Sequence, residues 1–332
     1  MLASHSYPQR IEQLLGDWAL LAGHGETFSE DSRMNMLTQN LEQFAGQAQA
    51  KSCLCADGSP VEICERISAQ PQAVAFTMEP LPVRTDEEPH LSCLCRLLGN
   101  IAPEGKMQLL RSRIGRYASG LSHLWLGTDF ARPGVRIYCH FTPVTAGEIM
   151  GQLQSGNPIA IAQIEPEISV RRSIVEIQKH GALRMIGLNF DGIIGGAKLA
   201  FAHPLEVTSM ERLAGACSIP FNPLQDYMRL LSPSQGGWRS TRCGLALTLN
   251  HAGYTQSLTV YHYAASYFLD DLKLRSFVLR IAEYFLWDTQ VYRGVSRLLD
   301  REGERMRSLI GFTVSASGET SLRLYGQTGA FA

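Results

Sequence analysis

The chain has 332 residues, 45% of them hydrophobic, and a formal net charge of −1. That is enough apolar material for one sizeable core, and the even charge balance, with lysines and arginines dispersed, argues against a chain-wide surface for nucleic acid or anionic lipid. No apolar run reaches the roughly 18 residues that a membrane span needs.

Residues 1–10 lack the charged-then-apolar pattern of a secretion signal, so the expected location is the cytoplasm, with no nucleic-acid or membrane partner. Alternating apolar runs then recur in pairs along the chain. The pairs are Gln49–Ala56 with Ala73–Met78, Ser122–Asp129 with Gly134–Phe141, and Arg184–Phe190 with Ala197–Ala202. Two more follow: Gly244–Asn250 with Ser257–Tyr263, and Leu309–Ser315 with Thr320–Tyr325. Turn residues such as Pro133-Gly134 and Asp191-Gly192 separate the two members of a pair, which reads as a β-hairpin.

Between hairpins, apolar residues recur at helical spacing. Helices are predicted over Met107–Tyr117, Ala146–Leu153, Val170–His180, Ser209–Ala216, Pro223–Leu231, Leu269–Leu286 and Val291–Leu299. There is no low-complexity linker and no composition shift, so residues 1–332 are expected to form a single domain. Five hairpins alternating with helices predict an α+β fold. Its ten-stranded antiparallel β-barrel is surrounded by α-helices, and closing the sheet removes unpaired edges. Ten strands leave more interior room than eight, enough for a ligand.

Strand alternation sorts the side chains, since residues i and i+2 share a face. Val135, Ile137, Cys139 and Phe141 should face the helices, as should Leu199 and Phe201, Leu258 and Val260, and Leu322 and Leu324. The opposite face then collects Arg136, Lys198 and Arg323 together with Tyr138, Tyr261, Tyr263 and Tyr325. It also holds Trp125, His140, Asp129 and Ala200. Buried cations need a counter-ion, and this face carries no matching number of carboxylates. A ligand diphosphate would supply the missing anion, and tyrosine faces beside it would stabilise a developing carbocation. On alternation alone, the solvated side of an open sheet accounts for the same pattern.

Other signals carry less. The Ser-Cys-Leu-Cys repeats at Cys53/Cys55 and Cys93/Cys95 lack zinc spacing and read as buried reduced thiols. Asp270-Asp271 lacks the third acid of a metal-binding Asp-Asp-x-x-Asp helix, and acids at a helix start have a structural reason. Gly192-x-x-Gly195-Gly196 lies between strands rather than before a helix and reads as a turn, not a phosphate cradle. His262 should face the helices, and Trp287 should pack.

Several segments, in order along the chain, resemble the ABBA-fold prenyltransferases, and among them the cyanobactin peptide prenyltransferases. They are Ser52-Cys-Leu-Cys-Ala-Asp-Gly58, Leu126-Gly-Thr-Asp129 with Val135-Arg-Ile-Tyr138, and Ile186-Gly-Leu-Asn-Phe-Asp-Gly192 with Ala197-Lys-Leu199. Tyr261-His262 with Ser266-Tyr-Phe-Leu-Asp-Asp-Leu272 completes the set. The resemblance implies transfer of a dimethylallyl or geranyl group from its diphosphate to a nucleophilic acceptor, usually with Mg²⁺. The acceptor would be a side chain of a (cyclic) peptide, or else a small aromatic, indole or guanidine metabolite. Arg136 and Lys198 would bind the diphosphate, with Arg323 following by pattern. Tyr138, Tyr261 and Tyr325 would shield the cation.

Two positions depart from the family. Related enzymes carry an acid on the first strand, and Gln49-Ala50-Lys51 has none, which leaves Asp129, Glu79 or His140 as candidate bases, Asp129 favoured by its facing. Lys198-Leu-Ala200 has alanine where relatives often have tyrosine, so Ala200, beside Trp125, would make room for a C10 donor. The other class of function open to this pattern is a non-catalytic barrel that binds an anionic, hydrophobic ligand.

Overall fold

A computed structural model describes residues 9, 12–13, 16–17, 32–45, 52, 54, 60–70, 73–80, 90–99, 103–129, 134–155, 162, 164, 167–179, 181–190, 196–203, 207–232, 243–299 and 307–327. Its elements run α1 (Ser32–Ala45), β1 (Val61–Ser68), β2 (Ala73–Met78), α2 (His90–Leu98), α3 (Glu104–Gly115), β3 (Leu121–Asp129), β4 (Val135–Phe141), α4 (Pro143–Ser155), α5 (Ile168–Gln178), β5 (Ala182–Phe190), β6 (Gly196–His203), α6 (Val207–Ala216), α7 (Asn222–Leu231), β7 (Cys243–Asn250), β8 (Thr255–Tyr263), α8 (Asp271–Tyr284), α9 (Gln290–Leu299), β9 (Arg307–Ser315) and β10 (Thr320–Gln327). Every strand pairs antiparallel with its neighbour in sequence, and β1 pairs with β10 to close the ring. The expected barrel is therefore present. Two helices separate each hairpin from the next, α2 and α3 first, α8 and α9 last.

The core is the annulus between strands and helices. Ile137, Cys139, Leu199, Leu258, Val260 and Leu322 are each 0% exposed, as alternation requires for an outward face covered by helices. Tyr227 of α7 stacks on Phe312 of β9 at 4.3 Å, one of many ring contacts joining the two layers. No helix among the described residues is long and apolar enough to cross a membrane.

One expected strand was misplaced. The partner of Ala73–Met78 is Val61–Ser68, not Gln49–Ala56; of the latter run, Ser52 and Leu54 alone are described, and neither is in a strand. The pattern of β1 hides its role because Glu65 stands on its helix-facing side among Ile63 and Ile67. That carboxylate is buried against Arg307 Nη2 at 3.0 Å, and Arg307 also reaches Asp271. A buried acid held in an ion network breaks the apolar alternation without breaking the strand. The helices α1 and α2 were also absent from the sequence reading.

Asp270 and Asp271 are both accounted for structurally. Asp270 caps α8, its Oδ1 accepting from the Lys273 amide at 2.9 Å, and Asp271 serves the Arg307 network. Cys93 and Cys95 are buried on α2, whereas Cys53 and Cys55 lie outside the described residues, as does most of the Gly192–Gly196 segment. His262 is buried on the outer face, 3.1 Å from Tyr227 Oη, and burial lowers its pKa to about 3, so it stays neutral.

Helix α8 ends in a left-handed residue, Leu286 (φ 57°), with the Trp287 amide bonded to Ala282 O at 2.8 Å. This closure favours glycine at the left-handed position. Leu286 is 86% exposed and gains nothing there from burial. Leu286→Gly is expected to stabilise the protein by about 1 kcal/mol, read as a higher urea midpoint at unchanged m-value.

Candidate functional site

Antiparallel pairing puts the five hairpin turns at one end of the barrel and the helical connections at the other. The lumen residues therefore sort by height. Toward the turn end, a cavity of about 270 Å³ is lined by Arg66, Arg136 and Arg323, with Asp129, Asn189 and Cys64. Toward the connection end, a larger cavity of about 460 Å³ is lined by apolar and aromatic groups: Trp125, Met185, Ala200, Phe201 and Leu309 among them, with Glu62, Lys198, His140 and Tyr261. Thr77, Tyr138 and Tyr325 border both, so the tyrosines stand where a cationic chamber meets an apolar one.

The cations come from four strands. Arg66 of β1 and Arg323 of β10 are direct partners across the pair that closes the ring. Like charges placed opposite one another in a sheet are destabilising without an anion between them. Arg136 Nε donates to Asn189 Oδ1 at 2.8 Å, which fixes the guanidinium from the adjacent strand. Lys198 Nζ lies 2.5 Å from Tyr261 Oη. Burial, and then the charges of Arg323 and Arg136, pull the Lys198 pKa well below the ordinary lysine value. The buried Nε of Arg323 has no hydrogen-bond partner among the described residues. Burial pushes the phenol of Tyr261 up to about 12, so its ring remains neutral and keeps a negative face.

The structure brings together Arg136, Lys198, Arg323, Tyr138, Tyr261, Tyr325, Trp125, Ala200 and His140 in one lumen. Tyr263 is placed differently from the expected shield: it is 54% exposed, at the rim where the larger cavity opens. Asp129 does lie in the lumen, but in the cationic chamber, at the end away from Glu62. Glu79 does not border either cavity. Its carboxylate accepts from Ser52 Oγ at 2.5 Å and lies 3.6 Å from His123 Nδ1, so it serves a local buried network. His140 packs against Trp125 with the rings tilted by 51° and their centroids 3.8 Å apart, and burial lowers its pKa to about 4. A neutral imidazole of that low basicity holds a proton weakly.

Sequence reasoning missed Glu62, Cys64 and Arg66, which share the inward face of β1. The signal was present as Glu62-x-Cys64-x-Arg66, but the misplaced first strand concealed it. Glu62 thus places an acid on the inward face of the first hairpin, lining the larger cavity. Burial pushes its pKa up to about 8, while the Ser308 hydroxyl and Lys198 pull the other way. Asp129 is the one carboxylate lining the cationic chamber among the described residues, and these hold no group of three or more metal-ligating side chains. Magnesium keeps several waters and is commonly held by one or two carboxylates together with substrate phosphates, so Asp129 is the side chain that would meet an ion carried by a diphosphate.

This is the barrel of the ABBA prenyltransferases: ten strands, paired helices and a cationic, tyrosine-lined lumen. Among solved structures it is similar to prenyltransferase PriB, at a TM-score of 0.77 and 13% identity, covering 99% of this chain and 98% of that one. It is also similar to 5-dimethylallyltryptophan synthase from Streptomyces coelicolor (TM-score 0.76, 14% identity, 99% of each chain). The 6-dimethylallyltryptophan synthase from Micromonospora olivasterospora, solved with DMASPP and Trp, gives 0.74 and 15% over 99% of each chain. At these identities the likeness establishes the fold. No family model and no curated protein sequence matches the chain.

Proposed function

We propose that the protein is a prenyltransferase that moves an isoprenyl group from its diphosphate to an electron-rich acceptor inside the barrel. The observation that carries this reading is the division of the lumen into a small cationic chamber and a larger apolar one, with Tyr138 and Tyr325 between them. An allylic diphosphate has the same division: a trianionic head, an apolar tail, and the breaking bond between. The relatives in fold add support, since PriB was solved with L-tryptophan and dimethylallyl thiolodiphosphate.

In this reading Arg66, Arg136, Lys198 and Arg323 hold the diphosphate. The C–O bond ionises, its electron pair leaving with the diphosphate, whose growing charge these cations stabilise. The allylic cation is left among Tyr138, Tyr261 and Tyr325, whose faces attract it. The acceptor lies in the larger cavity with an N–H against the Glu62 carboxylate, which raises the electron density of its ring or nitrogen. The acceptor's electron pair forms the new bond to the allylic carbon, and its displaced proton goes to Glu62. The acceptor class that suits this arrangement is an indole, either free tryptophan or a tryptophan of a peptide whose backbone stays at the open rim beside Arg184 and Tyr263. A guanidine fits the same carboxylate.

The test is turnover. The protein is mixed with dimethylallyl or geranyl diphosphate and a panel of tryptophan, indoles, and cyclic and linear peptides, and products are read by mass spectrometry. Addition of one isoprenyl unit to an indole acceptor is expected, with the C10 donor accepted because Ala200 leaves the wall open. Ala200→Phe is expected to favour the C5 donor by about tenfold in kcat/KM. A protein that binds the donors yet modifies nothing across the panel would be a binding module instead.

A further inference from the structure

Six glycines lie within strands: Gly127, Gly187, Gly196, Gly244, Gly311 and Gly326. Glycine weakens a strand, so each position needs a reason. Four of the six, all on the lumen face, flank Tyr138 or Tyr261. Gly187 is the direct cross-strand partner of Tyr138 on one side, and Gly127 lies diagonally on the other. Both direct partners of Tyr261 are glycine, Gly244 on β7 and Gly311 on β9.

The geometry shows what the missing side chains permit. A Cβ at Gly187 would stand 2.9 Å from both Cδ1 and Cε1 of Tyr138, and one at Gly127 would stand 2.8 Å from Cε2. The opposite edges of one ring thus overlie strands on opposite sides of β4. The Tyr138 ring lies flat across three strands of the wall. Tyr261 does the same more loosely: a Cβ at Gly311 would meet its Cε1 at 2.9 Å and Cδ1 at 3.1 Å, while at Gly244 the nearest ring atom would be 3.8 Å away.

We infer that Gly127, Gly187 and Gly311 are positioning residues that seat Tyr138 and Tyr261 flat on the barrel wall, so that ring faces rather than ring edges look onto the allylic carbon. The distinction matters because an aromatic quadrupole attracts a cation over its face and repels it at its edge. A methyl group at any of these glycines lifts one edge of a ring off the wall. Gly187 is also the direct partner of Lys198, but a Cβ there would lie 3.4 Å from the Lys198 Cβ, an ordinary contact, so at this position the tilt of Tyr138 is separable from the diphosphate grip. The inference rests on the prenyl-transfer reading and adds what sets the strength of its cation site.

Two ligands separate the effects without any turnover. One is 2-(dimethylamino)ethyl diphosphate, whose ammonium stands where the cation forms. The other is 3-methylbutyl diphosphate, its neutral counterpart. Calorimetric titration should show the full-length protein preferring the ammonium compound. Gly187→Ala should cut that preference by about tenfold while the neutral ligand binds within twofold of the parent. In a Tyr138→Leu background the same glycine substitution should change the preference no further, which closes a double-mutant cycle. If Gly187→Ala does not fold, Gly311→Ala against Tyr261→Leu makes the same test. Equal binding of both ligands by the parent, or an unchanged preference in a folded glycine variant, overturns the inference. A parent that binds neither ligand overturns the prenyl-donor reading instead.

Discussion

Arg136→Ala combined with Lys198→Ala is expected to weaken binding of a prenyl diphosphate by a hundredfold or more, measured by calorimetry with a non-ionising thiolodiphosphate. Each side chain would make charge-assisted hydrogen bonds worth roughly 1.5–3 kcal/mol, and a factor of ten corresponds to about 1.4 kcal/mol. The two substitutions together therefore reach the hundredfold range even if the remaining Arg66 and Arg323 compensate in part. An unchanged dissociation constant would remove the lumen as the donor site. The parent adds a signature of its own. Burial and neighbouring arginines hold the Lys198 pKa well below the ordinary lysine value, which favours the neutral amine in the empty lumen. A bound diphosphate favours the ammonium form and raises that pKa, so binding takes up a proton. Affinity then falls as pH rises from the depressed value toward the ordinary lysine range. The observed heat should change with the ionisation enthalpy of the buffer, and should cease to do so in Lys198→Ala.

Glu62→Gln is expected to lower turnover of an indole acceptor by at least about a hundredfold while leaving donor affinity within a few-fold. In the parent, kcat/KM for the acceptor should rise with pH through about 8, because burial raises the pKa of this carboxyl to that value and only its ionised form accepts an N–H. The glutamine protein should lose that rising limb. The same substitution should stabilise the fold. A carboxyl whose folded pKa lies above its unfolded value contributes no penalty below the unfolded value, and a growing one as pH rises toward 8. At pH 8 the amide removes that penalty, on the order of 1–2 kcal/mol once lumen water is allowed for. Loss of activity with a gain in melting temperature would mark Glu62 as a residue kept for chemistry at the expense of stability. Full activity in Glu62→Gln would return the role of base to Asp129 or His140.

Alternation recovered nine of the ten strands and most of the lumen, because a strand with one apolar face and one polar face announces both faces at once. It failed at β1 for a definable reason. Glu65 sits on the outward face and is neutralised by Arg307, some 240 residues away in sequence, a pairing that no local pattern can reveal. Losing β1 also lost Glu62, Cys64 and Arg66, and made the first hairpin look deficient in acid when it was not. Heights within the barrel were likewise illegible. Alternation says that Asp129 and Tyr263 face inward, but pairing registers decide that one lies in the cationic chamber and the other at the rim. The glycine seats are of the same kind: Gly187 and Tyr138 are 49 positions apart and become neighbours through the register of β4 and β5.

The strand pair that completes the ring joins Glu62–Ser68 to Ser321–Gln327, the first strand to the last. No closed lumen can exist until the last strand has been synthesised and has crossed the length of the sequence to find the first. Contacts of that separation are the slowest to form and the costliest in chain entropy. The same final pairing sets Arg66 against Arg323. The cationic chamber is thus completed only when the ring closes, and a diphosphate held between these two arginines would act as a clasp across the closing seam.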